Sequence, residues 1–350
     1  MNGEAKPPTL QDIARAAGVS LATASRSLNG SERKVNEEYR ARVLAAAARL
    51  GYTPNLSAQA VAKGITMTVA LLVGDIADPY FSSIAAGVIH ASEEAGLIVT
   101  MGATERLPAR ELQMVRALRG LRPRVLILAG SRLAGDEVQP ALFAELDAFE
   151  STGGRVVFIS QSELPFDTVV LDNYGGARQL AHAVVALGYR RFAAISGSST
   201  LLTARDRLAG FVEGLAEHNL SIPSAHIVHA AFTREGGFEA AKELLLRGID
   251  DVELVFAVND VMAVGAMSAL REAGRVPGET IALAGYDDIP TVRDVTPALT
   301  TVRVPLEDVG RQAVRLALAP KANGGAATSI AATVVLRAST PVLTPVISAL

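Results

Sequence analysis

From residue 66 onward, apolar runs alternate with amphipathic stretches, and this alternation constrains the fold more than any other feature of the chain. The runs are rich in Val, Ile, Leu and Ala: Thr66–Asp75, Leu97–Thr104, Val125–Gly130, Val156–Ser162, Thr168–Asp172, Phe192–Gly197, Ile227–Phe232, Leu254–Asn259 and Ile281–Tyr286. Near-continuous apolar runs are typical of strands buried on both faces, which occur in parallel sheets flanked by helices. We predict doubly wound α/β structure. Helices are expected near residues 80–95, 108–119, 137–150, 174–187, 204–219, 235–247, 261–273 and 305–318.

So many predicted strands exceed what one open sheet usually holds, which favours two lobes. The strand-helix pattern is interrupted at Ser162-Glu163-Leu164-Pro165, and we expect the lobe boundary near residues 162–168. The small-residue stretch Asn323-Gly324-Gly325-Ala326 is interpreted as a surface turn.

Composition narrows the class of protein. With 350 residues, 49% hydrophobic and 20% charged, the chain suits a soluble globular protein of two or three domains. The absence of cysteine excludes disulfides, thiolate zinc sites and cysteine nucleophiles, and fits a reducing compartment. The five histidines are scattered, so we expect no metal and no cofactor. We find no secretory signal and no apolar run long enough for a bilayer, which predicts a cytoplasmic protein without a membrane contact.

Charge is unevenly distributed. Residues 1–64 carry nine Lys or Arg against five acidic residues, a net charge of +4, which leaves −7 for the rest of the chain. A basic end on an acidic body indicates that the end contacts a polyanion. A solvated charged surface would explain the charge alone equally well.

The sequence of residues 9–50 predicts three short helices. Thr9 followed by Asp12 resembles a capping box, and Gly18 suits a tight turn with a positive φ. Ser20 is expected to cap a second helix over Leu21–Leu28, whose Ala24 and Leu28 face Val19 and Ile13. Asn36 is expected to cap a third helix that ends at Gly51.

Two short helices joined by a glycine-bearing turn make a helix-turn-helix. The second helix leaves Leu21, Ala22, Ser25 and Arg26 free to enter a major groove of DNA. An arginine there can donate two hydrogen bonds to a guanine edge, and small apolar side chains can contact thymine methyl groups. A plain helical hairpin would explain the turn, but neither the free face nor the local positive charge.

The head resembles that of the lactose-repressor (LacI/GalR) family of transcriptional regulators. The resemblance runs through Thr9–Ala14, Gly18–Ser20 and Ala22–Gly30, and continues in Leu44–Leu50 and Gly51-Tyr52-Thr53-Pro54-Asn55. It implies sequence-specific binding of double-stranded operator DNA by a homodimer, whose two heads impose two-fold symmetry on the half-sites. The predicted DNA contacts are Thr9, Ser20, Leu21, Ala22, Thr23, Ser25, Arg26, Asn29, Asn55, Ala58 and Val61.

The connector after Pro54 resembles the hinge helix of the family, which pairs in the dimer and enters the minor groove. An apolar wedge there bends the DNA, and family members usually carry leucine where this chain has Val61. Valine is shorter and β-branched, and Gln59 stands where the family usually has an arginine. These departures bear on the strength of the expected bend, but not on the role of the connector. A flexible linker would be richer in Ser and Gly.

The family likeness persists to about residue 340 and implies that a small effector binds between the lobes. It rests on segments that resemble the family's motifs: Asp78-Pro79-Tyr80-Phe81, Val170–Gly176, Thr203–Phe211, Phe256–Asp260, Gly285–Asp288 and Leu299–Val302. In the family segment that Thr203–Phe211 resembles, the second arginine contacts the effector, and here that residue is Arg207.

Physical reasoning points to the same cleft, because ligands of parallel sheets bind beyond the carboxyl ends of the strands. Asp75, Asp78, Gln161, Asp172, Asn259 and Asp287 lie at or just past such ends. Tyr80, Phe81 and Phe232 offer flat apolar faces. Paired acceptors, a guanidinium and aromatic rings suit a sugar or a nucleoside-like polyol.

Several of these residues have a second interpretation. Asp172 with Asn173 fits a helix cap, and Asp287 with Asp288 fits a turn. Tyr80 and Phe81 fit a hydrophobic core equally well.

The sequence predicts a small all-α helix-turn-helix head and an α/β two-lobed domain of the periplasmic-binding-protein type (type I) with parallel sheets. The expected division is residues 1–53 for the head, 54–65 for the hinge, 66–166 plus 304–324 for the first lobe, and 167–303 plus 325–345 for the second. The expected function is a repressor-like regulator, not an enzyme, whose operator affinity a sugar or sugar derivative controls. The alternatives are a two-lobed sugar-binding protein and an α/β enzyme without a DNA role; phosphate-loop, dinucleotide-binding and nucleophile-elbow motifs are missing from the sequence.

Overall fold

The computed structural model describes residues 8–29, 35–53, 66–161, 164–321 and 325–343. The chain forms two compact units that divide between Thr66 and Met67. The predicted hinge and its residues Asn55, Ala58 and Val61 lie outside the described residues, as does Gln59.

The first unit is a three-helix head. Its helices are α1 (Leu10–Ala17), α2 (Leu21–Asn29) and α3 (Glu37–Leu50). Their shared core consists of small and branched apolar side chains: Ile13, Ala14, Ala17, Ala24, Val43, Ala46 and Ala47, with Leu10, Val19, Leu28 and Tyr52 packed against it. The predicted contact of the second helix with the first is therefore confirmed.

Local signals set the ends of these helices as predicted. Thr9 and Asp12 form a reciprocal capping box, in which the Thr9 backbone N–H donates to Asp12 Oδ2 at 2.9 Å. The backbone N–H of Thr23 donates to Ser20 Oγ at 3.1 Å. Gly18 ends α1 in the left-handed region with φ 63°, where a side chain would be strained.

The second unit begins with a six-stranded sheet that forms the first lobe. Its elements up to the lobe crossing are β1 (Thr68–Val73), α4 (Pro79–Glu94), β2 (Ile98–Ala103), α5 (Pro108–Leu121), β3 (Val125–Ala129), α6 (Gln139–Ser151), β4 (Arg155–Ser160) and β5 (Asp167–Leu171). Two later elements return to this lobe, α12 (Leu306–Leu318) and β11 (Ala327–Ile330). The strand order is β11-β5-β4-β3-β1-β2, and every pair is parallel.

A four-stranded parallel sheet forms the second lobe. Its elements are α7 (Asn173–Ala186), β6 (Phe192–Ser196), α8 (Leu202–Ala216), a 3-10 turn (Ser224–His226), β7 (Ile227–His229), α9 (Arg234–Arg247), β8 (Leu254–Ala257), α10 (Asp260–Glu272), β9 (Ala282–Ala284) and α11 (Thr291–Asp294). The strand order is β7-β6-β8-β9. An antiparallel pair, β10 (Thr301–Arg303) with β12 (Thr333–Val335), completes the fold.

The lobe boundary differs from the sequence expectation. Residues 167–171 form β5, which pairs with β4 in the first lobe, so the predicted division at residue 166 is wrong. Parallel strands are usually joined through a helix, whereas only residues 161–166 connect β4 to β5, so this stretch has the sequence pattern of a domain break. Strand β11 also lies in the first lobe, although residues 325–345 were expected in the second.

Near-continuous apolar strands place each sheet inside its lobe. Strands β1, β3, β4, β6 and β8 are buried along almost their whole length. The carboxyl ends of strands from both sheets face one common space, because residues just past those ends, such as Gly74, Gly130 and Asn259, line the same cleft. Among the described residues, no helix is long and apolar enough to cross a membrane.

Candidate functional site

A cleft lies between the two lobes beyond the carboxyl ends of their strands. The empty space inside it, counted together with the open solvent at its mouth, is about 920 Å³. Most of the predicted effector residues line it: Asp78, Tyr80, Phe81, Gln161, Arg207, Phe232, Asn259 and Asp287.

Arg207 is the centre of the second-lobe wall. Its side chain is 1% exposed, and its three nitrogens donate to Asn173 Oδ1 at 2.8 Å, the Val258 carbonyl at 2.8 Å and Asp287 Oδ1 at 2.7 Å. The guanidinium also lies 3.9 Å from the ring centroid of Tyr286. These contacts fix the planar fork of Arg207 before any ligand arrives, which lowers the entropy lost on binding.

Asp287 is held in the same cluster by an unusual backbone. Its φ is 118°, its N–H donates to the carbonyl of Val302 in β10, and its carbonyl accepts a hydrogen bond from the N–H of Val304, the residue after β10. Burial raises the pKa of Asp287 to about 6, while the adjacent Arg207 opposes that rise. A non-glycine residue with such a φ needs surrounding structure to hold it, and it recurs at binding sites.

Asp288, the next residue, serves a structural role. Its buried carboxylate accepts hydrogen bonds from Arg303 at 2.6 Å, Arg337 at 2.5 Å and Arg293 at 3.2 Å. Burial alone would raise its pKa, but the hydrogen bonds from Arg303 and Arg337 hold the pKa of Asp288 below its usual range. The sequence allowed both an effector contact and a structural turn at Asp287-Asp288. Asp287 lines the cleft, whereas Asp288 stabilises the fold.

Two predicted effector residues do not line the cleft. Asp172 caps α7 by accepting a hydrogen bond from the Gly175 N–H at 2.9 Å, and the neighbouring Asn173 lines the cleft instead. Asp75 is half-exposed and accepts a hydrogen bond from the Ala77 N–H at 2.9 Å. Both residues lie past strand ends as predicted, but Asp172 is engaged by its own helix cap, and Asp75 by its own turn and by Arg106, whose guanidinium lies 3.5 Å from Asp75 Oδ2.

Aromatic side chains and one amide complete the predicted set. Phe81 is 6% exposed and belongs to the hydrophobic core, while its neighbour Tyr80 packs edge-on against it with ring centroids 5.0 Å apart. Burial raises the pKa of the Tyr80 hydroxyl above its usual value, so it stays a neutral donor. Asn259 caps α10 through its Oδ1 and is buried at the cleft.

The first-lobe wall contains two ion pairs that the sequence did not reveal. Arg106 donates to Asp78 at 2.8 Å, and Arg132 donates through both terminal nitrogens to Glu111 at 2.7 and 2.8 Å. Burial raises the pKa of Asp78 above its usual range. Arg106 and Arg132 follow β2 and β3, so the strand-end rule could have found them; Glu111 lies on α5 and carries no such signal.

Every arginine in the cleft has a carboxylate partner. The pairs are Arg106 with Asp78, Arg132 with Glu111, and Arg207 with Asp287. An anionic ligand would have to displace one of these carboxylates, whereas hydroxyl groups can use their remaining donors and acceptors. The cleft therefore favours an uncharged polar ligand. Among the described residues, no group of three His, Cys, Asp or Glu side chains could hold a metal ion.

The head presents the predicted recognition face. Leu21, Ala22 and Arg26 are exposed on α2 and Ser25 is half-buried, while Ala24 and Ser27 are buried on the opposite side. Thr9 and Ser20 are exposed helix caps, and Thr23 is half-buried beside Ser20, with 2.9 Å between their hydroxyl oxygens. Asn29 is the last residue of α2.

Comparison with known proteins matches both parts of the chain. Residues 9–55 match the family of bacterial regulatory proteins, lacI family, and residues 181–340 match a periplasmic binding protein-like domain. The HTH-type transcriptional regulator CelR of Thermobifida fusca is 33% identical over 88% of this chain and 90% of its own length.

Solved structures agree with this match. The CelR-cellobiose complex has a TM-score of 0.68 at 29% identity, covering 95% of this chain and 99% of that one. The lac repressor dimer bound to operator and the anti-inducer ONPF has a TM-score of 0.81 at 26% identity, covering 96% and 100%.

A helix-turn-helix head on a two-lobed ligand-binding domain defines the class of effector-controlled transcriptional regulators. The chain belongs to the LacI family of these DNA-binding regulators. Its relatives are regulators and not enzymes, which favours the first of the functions considered from the sequence.

Proposed function

We propose that this protein binds a two-fold symmetric operator as a homodimer in the cytoplasm, and that an uncharged sugar in the cleft controls its operator affinity. The sugar class follows from the paired arginines of the cleft, above all Arg207 with Asp287. Fixed donors and acceptors that already balance one another suit a polyol. CelR, whose structure was solved with cellobiose, provides the first candidate ligand.

For the DNA side, α2 enters the major groove and the hinge residues Asn55, Ala58 and Val61 contact the minor groove. The proposed groove contacts of α2 are Leu21, Ala22, Ser25 and Arg26, with Thr9, Ser20, Thr23 and Asn29 near the phosphates. The exposure of Leu21, Ala22 and Arg26 supports this assignment, because groove contacts need side chains free of the head's own core. We add four residues that line the cleft to the proposed effector contacts: Asn173, Arg106, Arg132 and Glu111. We remove Asp75 and Asp172, which do not line it.

The effector acts through the two lobes. It can shift operator affinity only by binding one arrangement of the protein more tightly than the other. Side chains from both lobes line one cleft, so a ligand that contacts both favours the closed arrangement.

Thermal unfolding against matched ligands tests the ligand class. Cellobiose, galactose and ribose are compared with gluconate and glucose 6-phosphate at equal concentrations. We expect at least one neutral sugar to raise the melting temperature, since a ligand at about 100 times its Kd stabilises the native state by about 2.7 kcal/mol. A shift with the charged compounds alone would show that the arginines are free to bind anions, and would refute a neutral effector.

A further inference from the structure

Two loops meet across the mouth of the cleft. Residues 131–134 follow β3 in the first lobe, and residues 200–203 lead into α8 in the second. The Leu202 N–H donates to the Arg132 carbonyl at 3.1 Å, and the Ala134 N–H donates to the Thr200 carbonyl at 2.8 Å. These bonds frame Leu133 and Leu201, which form an antiparallel bridge. The two lobes are thus joined by a short piece of β-ladder.

Side chains reinforce this bridge on its cleft side. The Thr203 N–H donates to Ser131 Oγ at 3.0 Å, and Gln161 Nε2 donates to Thr203 Oγ1 at 2.8 Å. Leu133, Leu201 and Thr203 line the cleft, whereas Ala134 and Thr200 are exposed. The bridge therefore separates the cleft from solvent at this point.

The first-lobe loop is anchored in its own lobe. The Arg132 guanidinium is held by Glu111, and the Arg132 N–H donates to Gln161 Oε1 at 2.9 Å. The carbonyl of Arg132 accepts the hydrogen bond from the Leu202 N–H of the other lobe. The first-lobe loop is thus held in place by its own lobe. The contacts between the lobes, by contrast, are a few hydrogen bonds at a solvent-exposed edge, and such contacts open more readily than a packed core.

We propose that residues 131–134 and 200–203 form a latch that completes the effector site and must open for a ligand to enter or leave. The latched and unlatched lobes are then the two arrangements between which the effector selects, an inference that rests on the proposed function for its regulatory meaning. The latch itself consists of contacts within the chain and is tested separately.

A pair of cysteines tests the latch directly. Leu133 and Leu201 occupy a non-hydrogen-bonded pair of the ladder, where Cα atoms lie about 4.5 Å apart, within the range of a disulfide. The chain has no cysteine of its own, so the double variant Leu133→Cys/Leu201→Cys holds no competing thiol. In the full chain without sugar, glutathione disulfide should produce an intrachain disulfide, seen by mass and by non-reducing electrophoresis. The two single variants reveal any cross-linking between chains.

Position 202 isolates the hydrogen bond from the packing. Leu202 is the first residue of α8, where proline is well tolerated, and the φ of −78° and ψ of 107° at Leu201 suit a residue before proline. Leu202→Pro removes the N–H donor, while Leu202→Ala keeps it. In the double-cysteine background, we expect Leu202→Pro to slow cross-linking about fivefold, the effect of one net hydrogen bond, and Leu202→Ala to leave the rate unchanged. If the proline variant does not melt cooperatively, Ser131→Ala, which removes the acceptor of the Thr203 N–H, takes its place.

The latch is overturned if no intrachain disulfide forms, or if Leu202→Pro and Leu202→Ala cross-link equally fast. The effect on ligand access is measured with cellobiose added to the oxidised double variant and to the same protein after reduction. We expect cellobiose to raise the melting temperature only after reduction, and an equal rise in both forms would show that ligands bypass the latch. If no sugar raises the melting temperature of the reduced protein, the proposed function is contradicted. The cross-linking rates still decide whether the latch exists.

Discussion

Replacing Arg207 with alanine is expected to abolish the sugar response while leaving operator binding in place. The substitution removes the donors that Arg207 presents in the cleft and leaves the buried carboxylate of Asp287 without its partner. Breaking a buried ion pair in this way costs about 3–5 kcal/mol of stability. The head is a separate compact unit and keeps its own core. The measurements are thermal unfolding with and without sugar, and operator affinity of the same preparation.

Two further variants separate recognition from stability. Arg205→Ala, on the same helix, removes a guanidinium that is 55% exposed and paired with Asp206, and should cost at most about 1 kcal/mol. Arg207→Met/Asp287→Asn removes both charges of the ion pair and keeps at position 287 a residue type that tolerates a positive φ. We expect this double variant to melt at a higher temperature than Arg207→Ala and to show no sugar response. A sugar response retained by Arg207→Ala would remove Arg207 from the effector site.

The second large effect is expected at Arg26 in the head. Arg26 is exposed on α2, and an arginine that donates two hydrogen bonds to guanine contributes about 1–3 kcal/mol of discrimination between bases. Arg26→Ala should therefore lower the preference for operator over random DNA by that amount, with most of the loss at one base pair. The measurement is the affinity for both duplexes at one salt concentration, after selection of the operator from a random pool.

Arg15→Ala is the matched control for Arg26→Ala. It removes one positive charge from the same head, at a side chain that is 77% exposed on α1, without changing the recognition face. It should weaken binding to operator DNA and to random DNA to a similar degree. Equal losses on the two duplexes for Arg26→Ala would show that Arg26 contacts only phosphate.

The head could be predicted closely from the sequence because its signals are local. The Thr9–Asp12 capping box, the positive φ at Gly18 and the cap at Ser20 each depend on residues within one helical turn. The lobes were also predicted, because strands buried on both faces are apolar along their whole length. Strands β11 and β12 were missed, since they are short and none of their residues is fully buried, so they lack the continuous apolar run of the inner strands.

The site was only partly predictable, because the backbone decides which of the polar residues at strand ends reach the cleft. Asp172 and Asp287 both follow strand ends, yet Asp172 is taken up by its own helix cap and only Asp287 reaches Arg207. Which carboxylate reaches the cleft depends on backbone geometry that residue type does not encode. The Glu111–Arg132 pair joins a helix to a loop across the lobe, and no local pattern in the sequence marks such a partnership.

The central claim is that occupancy of the cleft changes operator affinity, and one titration tests it most directly. The operator affinity of the full chain is measured by fluorescence anisotropy across a concentration series of the neutral sugar that raises the melting temperature. The account predicts a change of about 5–150-fold at saturation, the usual size of coupling between two sites, and none with Arg207→Ala. A sugar that stabilises the protein but leaves operator affinity unchanged would contradict it.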